Sequence, residues 1–348
     1  MFFGLWPRGF DFSNHVVRLT HERGVQFSRF GVAYTAPIKE WQDGRAGNFS
    51  IEVVLKPEDC DNEGFNFIVA VHGGDDKSQL LVGQWRSWLI VMNGDDYDHS
   101  RREKRISARL VSGPPMYQLV AITTGKHGTR IYLDGRLVRE VEDLTLSIPS
   151  GQKTRLFLGN SPDGRHGWKG GILGLAWYDY VLTDEDVKAH FRMWAQDHDL
   201  VFSTKRKPFL LYLFDEKGGR RVADHGQGGH DLQIPGRMVM FERKILSCDL
   251  SRPHFNSGFI KDAVVNFCGF IPLGFVFMMT FVRNRGFYKK RYIVAAVAVC
   301  FALSLAIEVL QSWIPSRSSD CLDLVLNTLG ALLGAMIFVW GYSRARRT

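Results

Sequence analysis

Residues 49–56 read Phe49-Ser-Ile-Glu-Val-Val-Leu-Lys56, with Phe49, Ile51, Val53 and Leu55 on one face of an extended chain. Side chains on a strand alternate with a period of two, so this run predicts a strand with one face in a core. Working outward, similar short runs recur: FNFIVAVHG, LLVGQW, SWLIVM, YQLVAITTG, TRLFLGN, GILGLAWYDYVL and LLYLFDE. Thr129–Val141 (TRIYLDGRLVREV) reads as a hairpin, with Asp134-Gly135 at a favoured two-residue turn. One helix is expected after Thr183, which can cap it. Asp184, Glu185 and Asp186 suit the positive end of its dipole, and Val187, Phe191 and Trp194 form an apolar stripe. Strands at this spacing with so little helix predict an all-β antiparallel sandwich over residues 1–245.

The last third is different. Residues 263–282 (AVVNFCGFIPLGFVFMMTFV) carry no charge; Tyr292–Trp313 is apolar but for Glu308 and Gln311, and Leu322–Tyr342 but for Asp323 and Asn327. Each is long enough to cross roughly 30 Å of hydrocarbon at about 1.5 Å per residue. The chain of 348 residues is thus expected to join the sandwich, through a linker at 246–262, to three transmembrane helices at 263–342 and a basic tail at 343–348.

Charge gives the orientation. From Phe259 to the end there are ten basic and four acidic residues, so most of the +8 net charge lies beside the apolar segments. That is how membrane topology distributes charge, and the basic balance is not read as nucleic-acid binding. The loop RNRGFYKKR (283–291) has five basic residues, the tail SRARRT has three, and the loop IPSRSSDC (314–321) has one. The positive-inside rule then places the first loop and the tail in the cytoplasm. The sandwich is expected on the periplasmic side of a bacterial inner membrane. MFFGLW is too short for the apolar part of a signal peptide and has no charged segment before it, so an upstream helix, an upstream signal or processing is expected.

Of the five cysteines, Cys268 and Cys300 fall in apolar helices and Cys321 at the edge of one, where a thiol reads as core filler; Cys60 and Cys248 are left to pair or stay free. No E-x-D-x-E strand, G-x-S-x-G, P-loop or HExxH occurs, and Glu140 and Glu142 have the wrong spacing for a glycosidase pair. A hydrolase is not expected. The loops carrying Asp59 and Asp61, and Asp95, Asp96 and Asp98, are oxygen-rich enough to suit calcium, although solvated turns read the same way. His166 near Trp168 suits either sugar stacking or packing. The spans hold no histidine, so no axial haem ligand is expected in them.

Two resemblances follow from particular residues. The elements LFLGN, WKGGILGLAWYDYVLT with its short helix, IYLDGRLV, and YLFDEKGG…VADHGQGGHDLQIP resemble LamG-type domains of the concanavalin A-like superfold, a jelly roll that hosts lectins, enzymes and docking modules alike. Asn266, Pro272-Leu-Gly274, Glu308-x-x-Gln311, Arg317, Asp320, Asp323, Asn327 and Gly330 resemble the VanZ family, which is associated with glycopeptide resistance. Some VanZ-like proteins carry a LamG-type domain in this order.

Read directly, Glu308 and Gln311 share one helix face, and Asp323 and Asn327 another. A carboxylate in hydrocarbon costs at least about 2–3 kcal/mol, so these faces are expected to turn inward, with Arg317 as the nearest counter-ion. Gly330-x-x-x-Gly334 gives the third helix a close-packing face. Three readings stand together. One is a docking or scaffold protein among other membrane subunits, with no cofactor. The second is a glycan-binding envelope protein or VanZ-like resistance factor. The third is transport or chemistry at the Glu308/Asp323 cluster.

Overall fold

A computed structural model describes residues 11–58, 64–110, 117–197, 206–248, 257–285, 289–317 and 319–345. The chain divides into two compact units, Phe12–Phe241 and a second beginning at Glu242.

The first unit is a sandwich of two antiparallel sheets, each of eight strands among the described residues. In one sheet Phe49–Pro57 lies between Gly170–Tyr178 and Gln118–Gly125, and the hairpin Gly128–Leu133/Arg136–Val141 continues it. In the other, Asn66–His72, Gln79–Trp85, Trp88–Asn93 and Arg105–Arg109 run consecutively to an edge. Phe49, Ile51, Val53 and Leu55 face the second sheet's Val69, Val71, Leu80, Val82, Leu89 and Val91 in one core, as the alternation requires. The Asp134-Gly135 turn has φ of 51° and 74°, the left-handed pair that a tight hairpin needs.

The far face of Phe49–Pro57 is also buried, which alternation alone does not predict. Helix α1 (Asp184–Asp197) covers it. Val187 packs there with Val54, Leu119 and Tyr178, joined by Phe191 and Trp194. Its start is a reciprocal cap: the Asp186 N–H donates to Thr183 Oγ1 at 3.2 Å, and the Thr183 N–H to Asp186 Oδ2 at 3.0 Å.

The second unit holds α2 (Ser257–Arg285), α3 (Lys289–Gln311) and α4 (Cys321–Ala345), all long and apolar enough to cross a membrane. Helices α2 and α4 meet almost backbone to backbone. A Cβ on Gly330 would collide with the Phe267 carbonyl, one on Gly334 with that of Ile271, and one on Gly274 with that of Ala331. Sequence spacing indicated the two α4 glycines; Gly274 is their counterpart on α2.

Two expectations are corrected. Cys248 pairs with Cys321 in a disulfide, not with Cys60, which lies outside the described residues; Cys321 is therefore no core thiol. Cys268 and Cys300 stay free. The stretch 246–248, expected as linker, is bonded into the second unit. The Ser247 N–H donates to the Ser319 carbonyl at 2.9 Å, and the Cys321 N–H to the Ser247 carbonyl at 3.1 Å. Its backbone groups find partners in the α3–α4 loop, so it behaves as a strap across that loop.

Candidate functional site

The polar residues of the second unit converge where α3 ends and α4 begins. Glu308 stands one turn before the end of α3 and is buried, as are Gln311 and Asn327. The loop folds back so that the Asp320 N–H donates to Glu308 Oε2 at 2.9 Å, and the Ser319 hydroxyl also reaches Glu308. Asp320 then caps α4, accepting the Leu322 N–H at 2.9 Å. Nearly two turns into α4, Asn327 donates through Nδ2 to Ser304 Oγ of α3 at 2.8 Å. Asn266 of α2 bonds to the Asp323 side chain, and Arg317 stands within electrostatic reach of it. All seven sequence-predicted polar residues thus surround one loop and the helix ends it joins. The serines Ser304 and Ser319 complete the network; they gave no signal of their own, because serine is common in apolar helices and Ser319 is one of three serines in the loop IPSRSSDC.

The strap closes this end from outside. Leu246 donates its N–H to Ser319 Oγ at 3.0 Å, the disulfide fixes Cys248 to the first residue of α4, and the Arg243 guanidinium lies over the Trp313 ring. Chemically the arrangement holds a carboxylate with donated N–H and O–H groups and ties three helices together. Asn327 Oδ1 is a buried acceptor with no hydrogen-bond partner among the described residues.

In the sandwich, Asp59 and Asp61 lie outside the described residues. Asp95 pairs with Arg101. Asp96 accepts the N–H groups of Arg101 and Glu103, each at 3.0 Å, and Asp98 that of Ser100 at 3.0 Å. These carboxylates are held by their own turn and do not converge on a common point among the described residues. A polar cleft of about 450 Å³ lies nearby, lined by Asp43, Arg45, Lys77, Asn93, Ser147 and Ser150. Glu140 pairs with Arg130 at 2.7 Å. Trp168 is fully buried, donating to Gln84 Oε1 at 2.6 Å, so its ring offers no face for a sugar; His166 is half-buried and stacks on Phe67.

A buried group that sequence reading missed is Glu52, beneath α1. It accepts the Tyr178 hydroxyl at 2.9 Å and bonds His190 Nδ1 at 2.8 Å. Burial pulls the His190 pKa down, but the bond and charge of Glu52 more than offset this, leaving it above its ordinary value. Burial likewise raises the Tyr178 hydroxyl. The signal available was His190, three residues after Val187 on the apolar stripe.

Comparison with known proteins follows this division. Residues 33–188 match the family model described as concanavalin A-like lectin/glucanases superfamily, and residues 225–342 match VanZ/LLP1. Among solved structures, a putative carbohydrate binding protein from Bacteroides ovatus is similar at 14% identity and TM-score 0.39, covering 64% of this chain and 63% of that one. A Ruminococcus gnavus IT-sialidase CBM40 is similar at 13% identity and TM-score 0.36, covering 51% of this chain and 96% of that one. A Trypanosoma rangeli sialidase shows 10% identity and TM-score 0.39, covering 53% of this chain but 29% of that one. No curated protein matches the chain. The chain therefore joins a concanavalin A-like sandwich to a VanZ-like membrane domain.

Proposed function

We propose that this is a non-catalytic, membrane-anchored docking protein, an accessory structural subunit that stabilises a larger membrane assembly from its outer face. The observation that carries this reading is the outward surface of the helices. In the apolar stretches of α2, α3 and α4, 17%, 28% and 28% of residues are buried, while the polar groups turn inward to one another. On α2, Val265, Gly269, Pro272, Val276 and Met279 are all exposed and recur at helical spacing along one face. A Cβ on Gly269 would meet nothing, unlike one on Gly274, so no contact within this chain requires a glycine there. A glycine inside a helix costs about 1 kcal/mol relative to alanine, and the close approach of a neighbouring helix is the physical use for one.

The disulfide at the strap end supports an oxidising compartment there, and the basic 283–291 loop supports the cytoplasm at the other end, consistent with a bacterial inner membrane. Replacing Gly269 with Leu tests the reading. The expected result is a folded protein that no longer co-migrates with its assembly in mild detergent. Unchanged co-migration of Gly269→Leu would refute the α2 face as the docking surface.

A second reading, an envelope glycan-binding protein, is favoured by one observation in the sandwich. Trp85 and Trp88 are exposed side by side on one hairpin.

A further inference from the structure

Ser304 and Glu308 lie four residues apart on α3, and Asp323 and Asn327 four apart on α4, so each pair shares one helix face. The two faces meet. Asn327 Nδ2 donates to Ser304 Oγ at 2.8 Å, and Asp323 stands within electrostatic reach of Glu308. Two carboxylates therefore face each other across the α3–α4 seam, with an amide and a hydroxyl about one turn deeper. Glu308, Ser304 and Asn327 are 1%, 0% and 3% exposed, and Asp323 is half-buried.

Two features of these four side chains call for a cation. The first is charge. The groups that already bond the carboxylates are neutral: the Asp320 N–H and the Ser319 hydroxyl on Glu308, and Asn266 on Asp323. Of the charged groups near the pair, Arg317 is cationic, whereas Asp320 and Asp262 have the wrong sign. Asp320 caps the N-terminus of α4 and Asp262 is exposed, so the helix dipole and solvent screen those two. Arg317 offsets one of the two facing carboxylates. One unit of negative charge is left where apolar surroundings screen poorly. Facing carboxylates in such surroundings need a cation or a proton between them.

The second feature is Asn327 Oδ1, buried in the same seam with no hydrogen-bond partner among the described residues. A buried polar atom in this state marks the place of a water or an ion. A water would satisfy the amide but leave the charge; a cation answers both. The four side chains offer only hard oxygens, from two carboxylates, an amide and a hydroxyl, which is the donor set of a hard cation. The residual charge of one selects a monovalent ion. The Ser304–Asn327 bond holds the two helices close together, which leaves room for a small one.

We propose that Glu308, Asp323, Asn327 and Ser304 form a binding site for a small monovalent cation of the sodium type, between α3 and α4 beneath their connecting loop. The ion joins the two helices at the end that the strap covers, so it stabilises them in step with its concentration.

The test follows thermal unfolding of the full chain in detergent micelles, in sodium, potassium and choline chloride at equal ionic strength. The readout is local to the helices: reaction of the buried Cys300 thiol of α3 with a maleimide, in a Cys60→Ser/Cys268→Ser background with the Cys248–Cys321 bridge intact. Expected is an unfolding temperature about 3 °C or more higher in sodium than in choline, with a smaller gain in potassium. Asp323→Asn removes one charge and keeps a side-chain oxygen for Asn266, and Asn327→Leu removes the orphan oxygen at similar volume. Each should remove most of the sodium gain. Every variant is compared with itself across the salts, so its own loss of stability cancels, and either variant alone suffices if the other does not fold. A gain that is the same in all three salts would overturn the proposal, as would a sodium gain unchanged in the variants. An unfolding temperature that rises as pH falls and ignores the cation would also overturn it, in favour of a shared proton.

Discussion

Gly334 and Gly341 lie seven residues apart on α4 in opposite situations, and replacing each with alanine separates packing from helix propensity. A Cβ at Gly334 would lie 2.9 Å from the Ile271 carbonyl carbon and 3.0 Å from the Phe275 nitrogen, and nearer still to the Ile271 oxygen. All three are backbone atoms of α2, so no side-chain rotation relieves the clash. Ordinary carbon contacts need about 3.5–4.0 Å, and a gap of about 0.5–1 Å already forfeits a quarter to a half of each contact along the seam. The expected cost is that of overpacking, about 1–3 kcal/mol. A Cβ at Gly341 would meet nothing. There the propensity gain of about 0.5–1 kcal/mol should appear alone. The assay is reversible unfolding of the full chain in mixed micelles. Gly334→Ala should destabilise and Gly341→Ala should be neutral or stabilising. Equal effects of the same sign would refute the backbone-to-backbone account of the α2–α4 seam.

Further outcomes follow from the same geometry. Asp323→Asn should keep normal abundance and function, whereas Asp323→Ala leaves a half-buried Asn266 bond unmade, costs about 1–3 kcal/mol and lowers the amount of assembled protein. Normal abundance of Asp323→Asn with complete loss of phenotype would point to chemistry instead. Because the His190 pKa is raised in the folded state, its contribution should be fully present below about pH 6.5, the unfolded value, and be lost as pH climbs through the folded value. The difference in melting temperature between the wild type and His190→Gln should therefore shrink toward alkaline pH; a difference that grows would refute the Glu52–His190 pair. Cys248 and Cys321 should resist a membrane-impermeant maleimide until reduced. Their loop of 73 residues limits the stabilisation to about 4 kcal/mol by chain entropy. Labelling of either thiol in intact, unreduced cells would count against the bridge.

The sandwich core was legible because Phe49, Ile51, Val53 and Leu55 alternate cleanly, and alternation is a local signal. Glu52 was not, because the same alternation assigns it to solvent. It is buried only because α1, some 130 residues later in the chain, folds over that face. The membrane cluster was legible for the opposite reason. In an apolar segment a polar group is conspicuous, and the cost of leaving it in lipid turns it inward, so Glu308 and Asn327, both buried, and Asp323, half-buried, announced themselves. The Cys248–Cys321 pairing was illegible because it depends on the strap adding itself to the α3–α4 loop through backbone bonds, which no side-chain pattern encodes. Trp85 and Trp88 read as ordinary strand residues; their exposure follows from their place at the tip of a hairpin on the outer face.

The central claim, that the helices dock into a larger membrane assembly, is tested most directly by the native mass of the protein extracted from its own membrane in mild detergent. The account predicts a particle well above the 39.6 kDa chain, with other membrane subunits in fixed ratio, that falls apart at lower temperature when this chain is deleted. A single chain in its micelle, with every neighbouring complex unaffected by the deletion, would contradict it.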